Sequence, residues 1–144
     1  MLSARYPDPA LEGILTGPSV LQRAIIAVYV LCLLGAGATH LHDIASARSF
    51  LPYDALLNAP LPSNIFWSLL LYADLALVLV LLRRPALGAL LTLGLMIAVV
   101  AHNTLACHTF LHSRTGDFPG LLMQSGFLLF VLATLPFVVR SPYP

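Results

Sequence analysis

Four long stretches of this chain are almost free of charge, and each is long enough to cross a lipid bilayer. They cover residues 20–39, 65–82, 86–107 and 121–139. A hydrocarbon core about 30 Å thick takes roughly 20 residues of helix to span. No water is available there to satisfy backbone N–H and C=O groups, so each stretch must satisfy its own as a helix. Composition agrees. Charged residues make up 9% of the 144 and hydrophobic ones 59%, with a mean hydropathy of +0.91. A soluble domain carries about 25% charge, so most of this surface is expected to face lipid.

The expected fold is therefore all-α: a polytopic membrane protein built as an antiparallel bundle of four transmembrane helices, one domain over residues 1–144. Ser19 is placed to cap the first helix. Arg83-Arg84-Pro85 reads as a tight turn, with proline at the start of a helix where its missing N–H costs nothing. Between the first two spans, His40 to Asn64 forms a long proline-bearing connection. A connection of that length usually has a task or a docking place. Its Phe50-Leu51 and Leu56-Leu57 pairs suggest that it lies along the membrane interface.

The seven cations are all arginine, and their distribution predicts an orientation. Arg5, Arg23, Arg83, Arg84 and Arg140 fall on one side of the bundle, and Arg48 and Arg114 on the other. Cytoplasmic loops carry the excess of basic residues, so both termini are expected in the cytoplasm and the chain in a bacterial inner membrane. The first nineteen residues lack the apolar core of a signal peptide and are expected to be retained. A net charge of +1 without a basic patch excludes nucleic acid as a partner. Cys32 and Cys107 have no CxxC spacing, which weakens disulfide and zinc-finger readings.

Two polar groups within the spans point to chemistry. Asp74 lies nine residues into the second stretch, roughly 13 Å deep. A carboxylate there costs about 2.5–3.5 kcal/mol to insert, and such a group normally faces the bundle interior. It either serves a site or, protonated and hydrogen-bonded to a neighbouring helix, holds helices together. Trp67, seven residues before it, shares its face. An acid with an aromatic ring nearby suits a cationic amine. His102 and Asn103 close the third stretch and must also meet something polar. Gly94, Ala98, His102 and Ala106 recur every four residues as a stripe that would let another helix approach. This turns His102 inward, within reach of Asp74 directly or through water.

A second grouping lies at the outer face. His40 and His42 end the first span, while His108 and His112 lie four residues apart. Imidazoles from two helices can bind zinc, copper or haem iron. His102 is about 80–120° around the helix from His108 and His112, so the three do not share one centre. Asp43 and Asp54 read as near-surface acids, unless the connection folds over the bundle mouth and carries Asp54 above Asp74.

The segment Asp54-Ala55-Leu56-Leu57-Asn58-Ala59-Pro60-Leu61-Pro62, followed by Phe66-Trp67-Ser68-Leu69-Leu70 and Asp74, resembles part of the EXPERA family. That family comprises emopamil-binding sterol isomerases and the sigma-two receptor. The tail from Leu135-Pro136-Phe137 to Tyr143 resembles the end of some members. The resemblance implies four helices with cytosolic termini, and a cavity lined by Asp54, Asp74 and the aromatic Trp67, with His102 near it. Its ligand would be a sterol-like or amine-bearing lipophile, with double-bond isomerisation in the enzymatic branch. The second acid is usually Glu in that family and is Asp74 here, and the first helix lacks the intramembrane acid expected of the isomerases. Small bacterial DoxX-like proteins are similar in topology alone.

The leading expectation is thus a membrane protein that binds a lipophilic ligand, with Asp74, His102, Trp67, Asn103 and Asp54 at the site and no resident cofactor. The alternatives are an outer-face haem, copper, zinc or quinone centre on His40, His42, His108 and His112, or an accessory subunit of a larger membrane complex. A homodimer is also compatible with the sequence.

Overall fold

The computed structural model describes residues 19–111 and 119–140. Among the described residues every element is a helix: α1 (Val20–Ala47), α2 (Tyr53–Leu57), α3 (Leu61–Arg83), α4 (Pro85–Thr109) and α5 (Pro119–Val139). The four long ones are apolar enough to cross a membrane, and the shortest has 21 residues, about 31 Å at 1.5 Å per residue. They are apolar on both faces. Leu69, Tyr72, Leu75, Leu79 and Leu82 point outward from α3 while Leu70, Leu77, Val78 and Leu81 are buried. A helix hydrophobic all round belongs in lipid or in a large core.

The local signals at the helix ends hold. Ser19 Oγ accepts from the Gln22 amide at 3.1 Å and caps α1. Pro85 opens α4 directly after the arginine turn. At Gly88 the turn is very tight, since a Cβ there would lie 2.7 Å from the Leu81 Cα. Only glycine lets α3 and α4 meet so closely.

The first span departs from its expected end. α1 continues through Ala47 rather than stopping near Thr39, because no proline or glycine interrupts residues 40–47. His40, His42 and Asp43 are therefore helical. The helix ends at Arg48, whose left-handed φ of 50° lets its own N–H reach the Ala45 carbonyl and the Ser49 N–H reach the Ile44 carbonyl, a role glycine usually fills. The remaining connection contains α2, which ends at Asn58 with φ 53°, a conformation asparagine tolerates. Asn64 on α3 secures it. Its Oδ1 accepts from the Tyr53 amide and its Nδ2 donates to the Leu51 carbonyl.

Two packed clusters fill the bundle. One gathers Ile25, Tyr29 and Leu33 of α1 with Leu77 and Leu81 of α3, Ala89 of α4, and Val131 and Val138 of α5. The other joins Tyr53 and Ala59 to Trp67, Leu70, Val99 and Ala106. Along α3, Asp74 lies between the residues that serve the two.

Candidate functional site

At the level of Asp74 the helices leave a cavity of about 540 Å³, with walls from α1, α3, α4 and α5. Its surface is mostly apolar, including Leu33, Leu70, Met96 and Phe127, with His40, Asp74 and Gln124 among the polar exceptions. Leu31 of α1 and Met123 of α5 also line it, yet they are 67% and 77% exposed. The cavity therefore opens sideways between α1 and α5.

Asp74 is 4% exposed and has no hydrogen-bond partner among the described residues; its Oδ2 is sealed from solvent. Gly37 of α1 faces it, leaving about 3.8 Å between the Asp74 Cβ and where a Cβ on residue 37 would stand. The reading of Asp74 as a bonded link between helices is thus not met, since it bonds to no neighbouring helix. A buried polar group left unsatisfied costs about 1–3 kcal/mol, and most such groups in folded proteins are paired.

His102 is placed differently from expectation. Its ring lies against Phe66, with centroids 4.2 Å apart, and meets Trp67 edge-on at 5.6 Å. Its Nε2 is buried and unpartnered, so no direct Asp74–His102 bond forms, and His102 is not part of the cavity wall. The small-residue stripe misled here. Gly94 and Ala98 are exposed, with open space around Gly94. A row at spacing four drifts about 40° per step on a helix of 3.6 residues per turn, so the row does not keep to one face, and only its last member, Ala106, is buried. The buried face of α4 instead runs through Gly88, Thr92, Met96, Val99, Asn103 and Ala106.

Trp67 and Asn103 do come together. The indole N–H donates to Asn103 Oδ1 at 2.6 Å, and Asn103 Nδ2 donates to Gln124 Oε1 at 2.7 Å. This chain ties α3, α4 and α5, and its last member is a cavity wall residue. Gln124 is a functional candidate the sequence reading missed, although a lone amide in an apolar stretch is the same signal as Asn103.

At the opposite wall His40 Nδ1 lies 2.8 Å from the Tyr53 hydroxyl, which donates to Asp43 Oδ2 at 2.9 Å. Burial, then the bond to Asp43 and its charge, push the Tyr53 hydroxyl above the ordinary tyrosine range. Tyr53 also packs edge-on against Trp67 at 5.2 Å. The sequence hides this group because α1 was expected to end before it could form.

Asp54 is exposed on α2 and is not among the cavity-lining residues. Of the four histidines expected at the outer face, His40 is engaged by Tyr53, His42 is exposed with Ser46 Oγ 3.4 Å away, and His108 is exposed. His112 lies outside the described residues. Among the described residues no three His, Cys, Asp or Glu side chains are grouped to hold a metal ion. No protein-family model, curated protein or solved structure matches this chain.

Proposed function

We propose that this protein takes a small lipophilic ligand, sterol-like or amine-bearing, from the bilayer into the cavity between α1 and α5, with Asp74 as its polar anchor. The observation that carries the reading is the Asp74 carboxyl, buried and unpartnered in an otherwise apolar hollow. Ionisable groups within a membrane are expensive and mark sites by default. The volume, about 540 Å³, falls in the range of roughly 300–1,000 Å³ typical of small-molecule pockets. The proposal is one of binding. Isomerase-type proton transfer is not part of it.

Kinship with the EXPERA family belongs to the same proposal in one respect only. Of the two acids that the resemblance assigns to a cavity, Asp74 is in the wall and Asp54 is not. An antiparallel bundle with cytoplasmic termini is also proposed. It is supported by the bond from Gln22 Nε2 to the Val138 carbonyl, which joins the beginning of α1 to the end of α5. Arg23, Arg83, Arg84 and Arg140 belong to these helix ends and to the α3–α4 turn, against Arg48 at the far end of α1, the bias expected of the cytoplasmic side. Helical spans suit a bacterial inner membrane, since outer-membrane proteins cross as barrels.

Asp74→Asn tests the anchor. The variant is expected to insert and purify like the parent and to lose ligand binding. Binding at the parent's affinity would remove Asp74 from the site.

A further inference from the structure

A second hollow, of about 470 Å³, lies between α1 and the α3–α4 turn, lined by Arg23, Ala27 and Leu31 of α1 with Leu81, Leu82 and Pro85 among its other walls. It exists because α3 stops before α1 does. Gly37 of α1 faces Asp74 of α3. Seven residues back along α1 and seven on along α3, Val30 and Leu81 both line the groove. Another seven bring α1 to Arg23, where α3 has already ended at Arg83. Pro85 disfavours the helical conformation at the residue before it, and Arg84 accordingly sits at φ −142°, ψ 75°. This end of α1 is left without its neighbour.

The groove is apolar along its length and basic at one end. Leu31 and Leu82 line it while 67% and 64% exposed, so it opens outward. From Leu31 to Arg23 it follows eight residues of α1, about 12 Å. Arg83 and Arg84 stand between Leu82 and Pro85, so two further exposed cations lie on its rim. Gln22, bonded to the Val138 carbonyl, brings the end of α5, with Arg140, to the same end of the bundle. None of these four guanidinium groups has an ion pair among the described residues. The acids among the described residues are Asp43, Asp54 and Asp74, beyond α1's middle, on α2 and within α3. Asp8, Glu12 and Asp117 lie outside the described residues.

We propose that this groove is a site for one anionic phospholipid. Its phosphate is held by Arg23, with Arg83 and Arg84 at the rim, and an acyl chain lies along Ala27 and Leu31 against Leu82. A guanidinium matches a phosphate with a planar fork of donors, while its stem can follow an apolar wall and keep the charge at the membrane surface. Basic pockets between transmembrane helices bind anionic headgroups in this way. A soluble anion would leave the apolar wall uncovered, and a peptide would bring backbone polar groups against it that nothing there satisfies. The groove shares only Leu31 with the cavity beside Asp74, and the proposal does not rest on the lipophile reading above.

Native mass spectrometry of the full chain tests it, with phosphatidylglycerol or phosphatidylcholine of the same acyl chains added to the detergent-purified protein. The first phosphatidylglycerol is expected to bind about fivefold or more tighter than phosphatidylcholine. Arg23→Gln should weaken it about fivefold, the share of one basic residue at a membrane surface. Arg48→Gln, at the far end of α1, should change nothing. Ala27→Phe alters no charge but fills the groove, and should weaken phosphatidylglycerol about fivefold or more; Ala27→Leu serves if that variant does not fold. Asp74→Asn should bind phosphatidylglycerol like the parent. Equal affinity for the two lipids overturns the proposal, as does an equal loss in Arg48→Gln. Weakening by Arg23→Gln but by neither Ala27 variant would mean a diffuse attraction to the basic face and overturns the groove. Displacement of phosphatidylglycerol by excess glycerol 1-phosphate would do the same, since the acyl chain would then add nothing.

Discussion

The two halves of the bundle differ in whether they leave any buried polar group unbonded. Toward the arginine turn, the buried polar side chains among the described residues close their bonds within the protein. Gln22 donates to the Val138 carbonyl, Tyr29 to the Val131 carbonyl, and Thr92 to the Gly88 carbonyl. Packing there is tight enough that Gly88 has no room for a methyl group. Toward α2, Asn64, Ser68, Trp67 and Asn103 are bonded as well, but a cavity opens, and among the described residues Asp74 Oδ2 and His102 Nε2 are buried without partners. In lipid, where water cannot compensate an unmade bond, the Asp74 carboxyl is the unmade bond that the proposed ligand would close. The same residue types serve both ends. What differs is whether their bonds are closed.

The largest effect that would break this contrast is expected from Gly88→Leu. A side chain there meets the Leu81 backbone, which cannot yield, and overpacking costs at least about 1–3 kcal/mol. Folded protein should be lost in size-exclusion and thermal-melt assays, because the closed half anchors α3 to α4. A variant that folds and melts like the parent would show that the closed half is not rigid.

Asp74→Leu probes the open half with the opposite sign. Removing an unsatisfied buried polar group is expected to stabilise the ligand-free protein, by about 1–3 kcal/mol. A rise in melting temperature accompanied by loss of ligand binding is the mark of a group kept for function rather than for the fold. A fall would mean that Asp74 has a structural partner.

The smallest effect concerns pH. Tyr53 in the folded chain is raised above the tyrosine value of about 10. The unfolded chain therefore loses its Tyr53 proton first, and stability falls above about pH 10. The contribution is complete below that pH and is lost as pH rises through the folded value. Denaturation at pH 9 and pH 11 should show a steeper alkaline loss in the parent than in Tyr53→Phe. Equal slopes would mean that the hydroxyl is not held by burial and Asp43.

The four helices were legible because lipid imposes one simple demand, a long uncharged stretch with its backbone satisfied, and residues 20–139 meet it four times. Asp74 was legible for the same reason, as the one acid in its span. The partners of the polar groups were not. Which face of α4 is buried depends on a helical drift that turns Gly94 and Ala98 outward, and spacing alone did not show that His102 packs on Phe66 and Trp67 rather than reaching Asp74. Gln124 becomes visible only when Asn103 is seen to bond it across two helices. His40, read from the sequence as an outer-face metal candidate, is seen beside the cavity only when α1 outruns its apolar stretch and α2 folds back under Asn64.

The central claim is that the cavity beside Asp74 is filled by a lipophile. Unbiased mass spectrometry of small molecules that co-purify with the protein tests it most directly, comparing the parent with Asp74→Asn and with Ala36→Phe, which places a ring in the cavity wall. One lipophilic species enriched over bulk lipid in the parent, and depleted in both variants, is the predicted result. The same lipid profile in all three proteins would contradict the account.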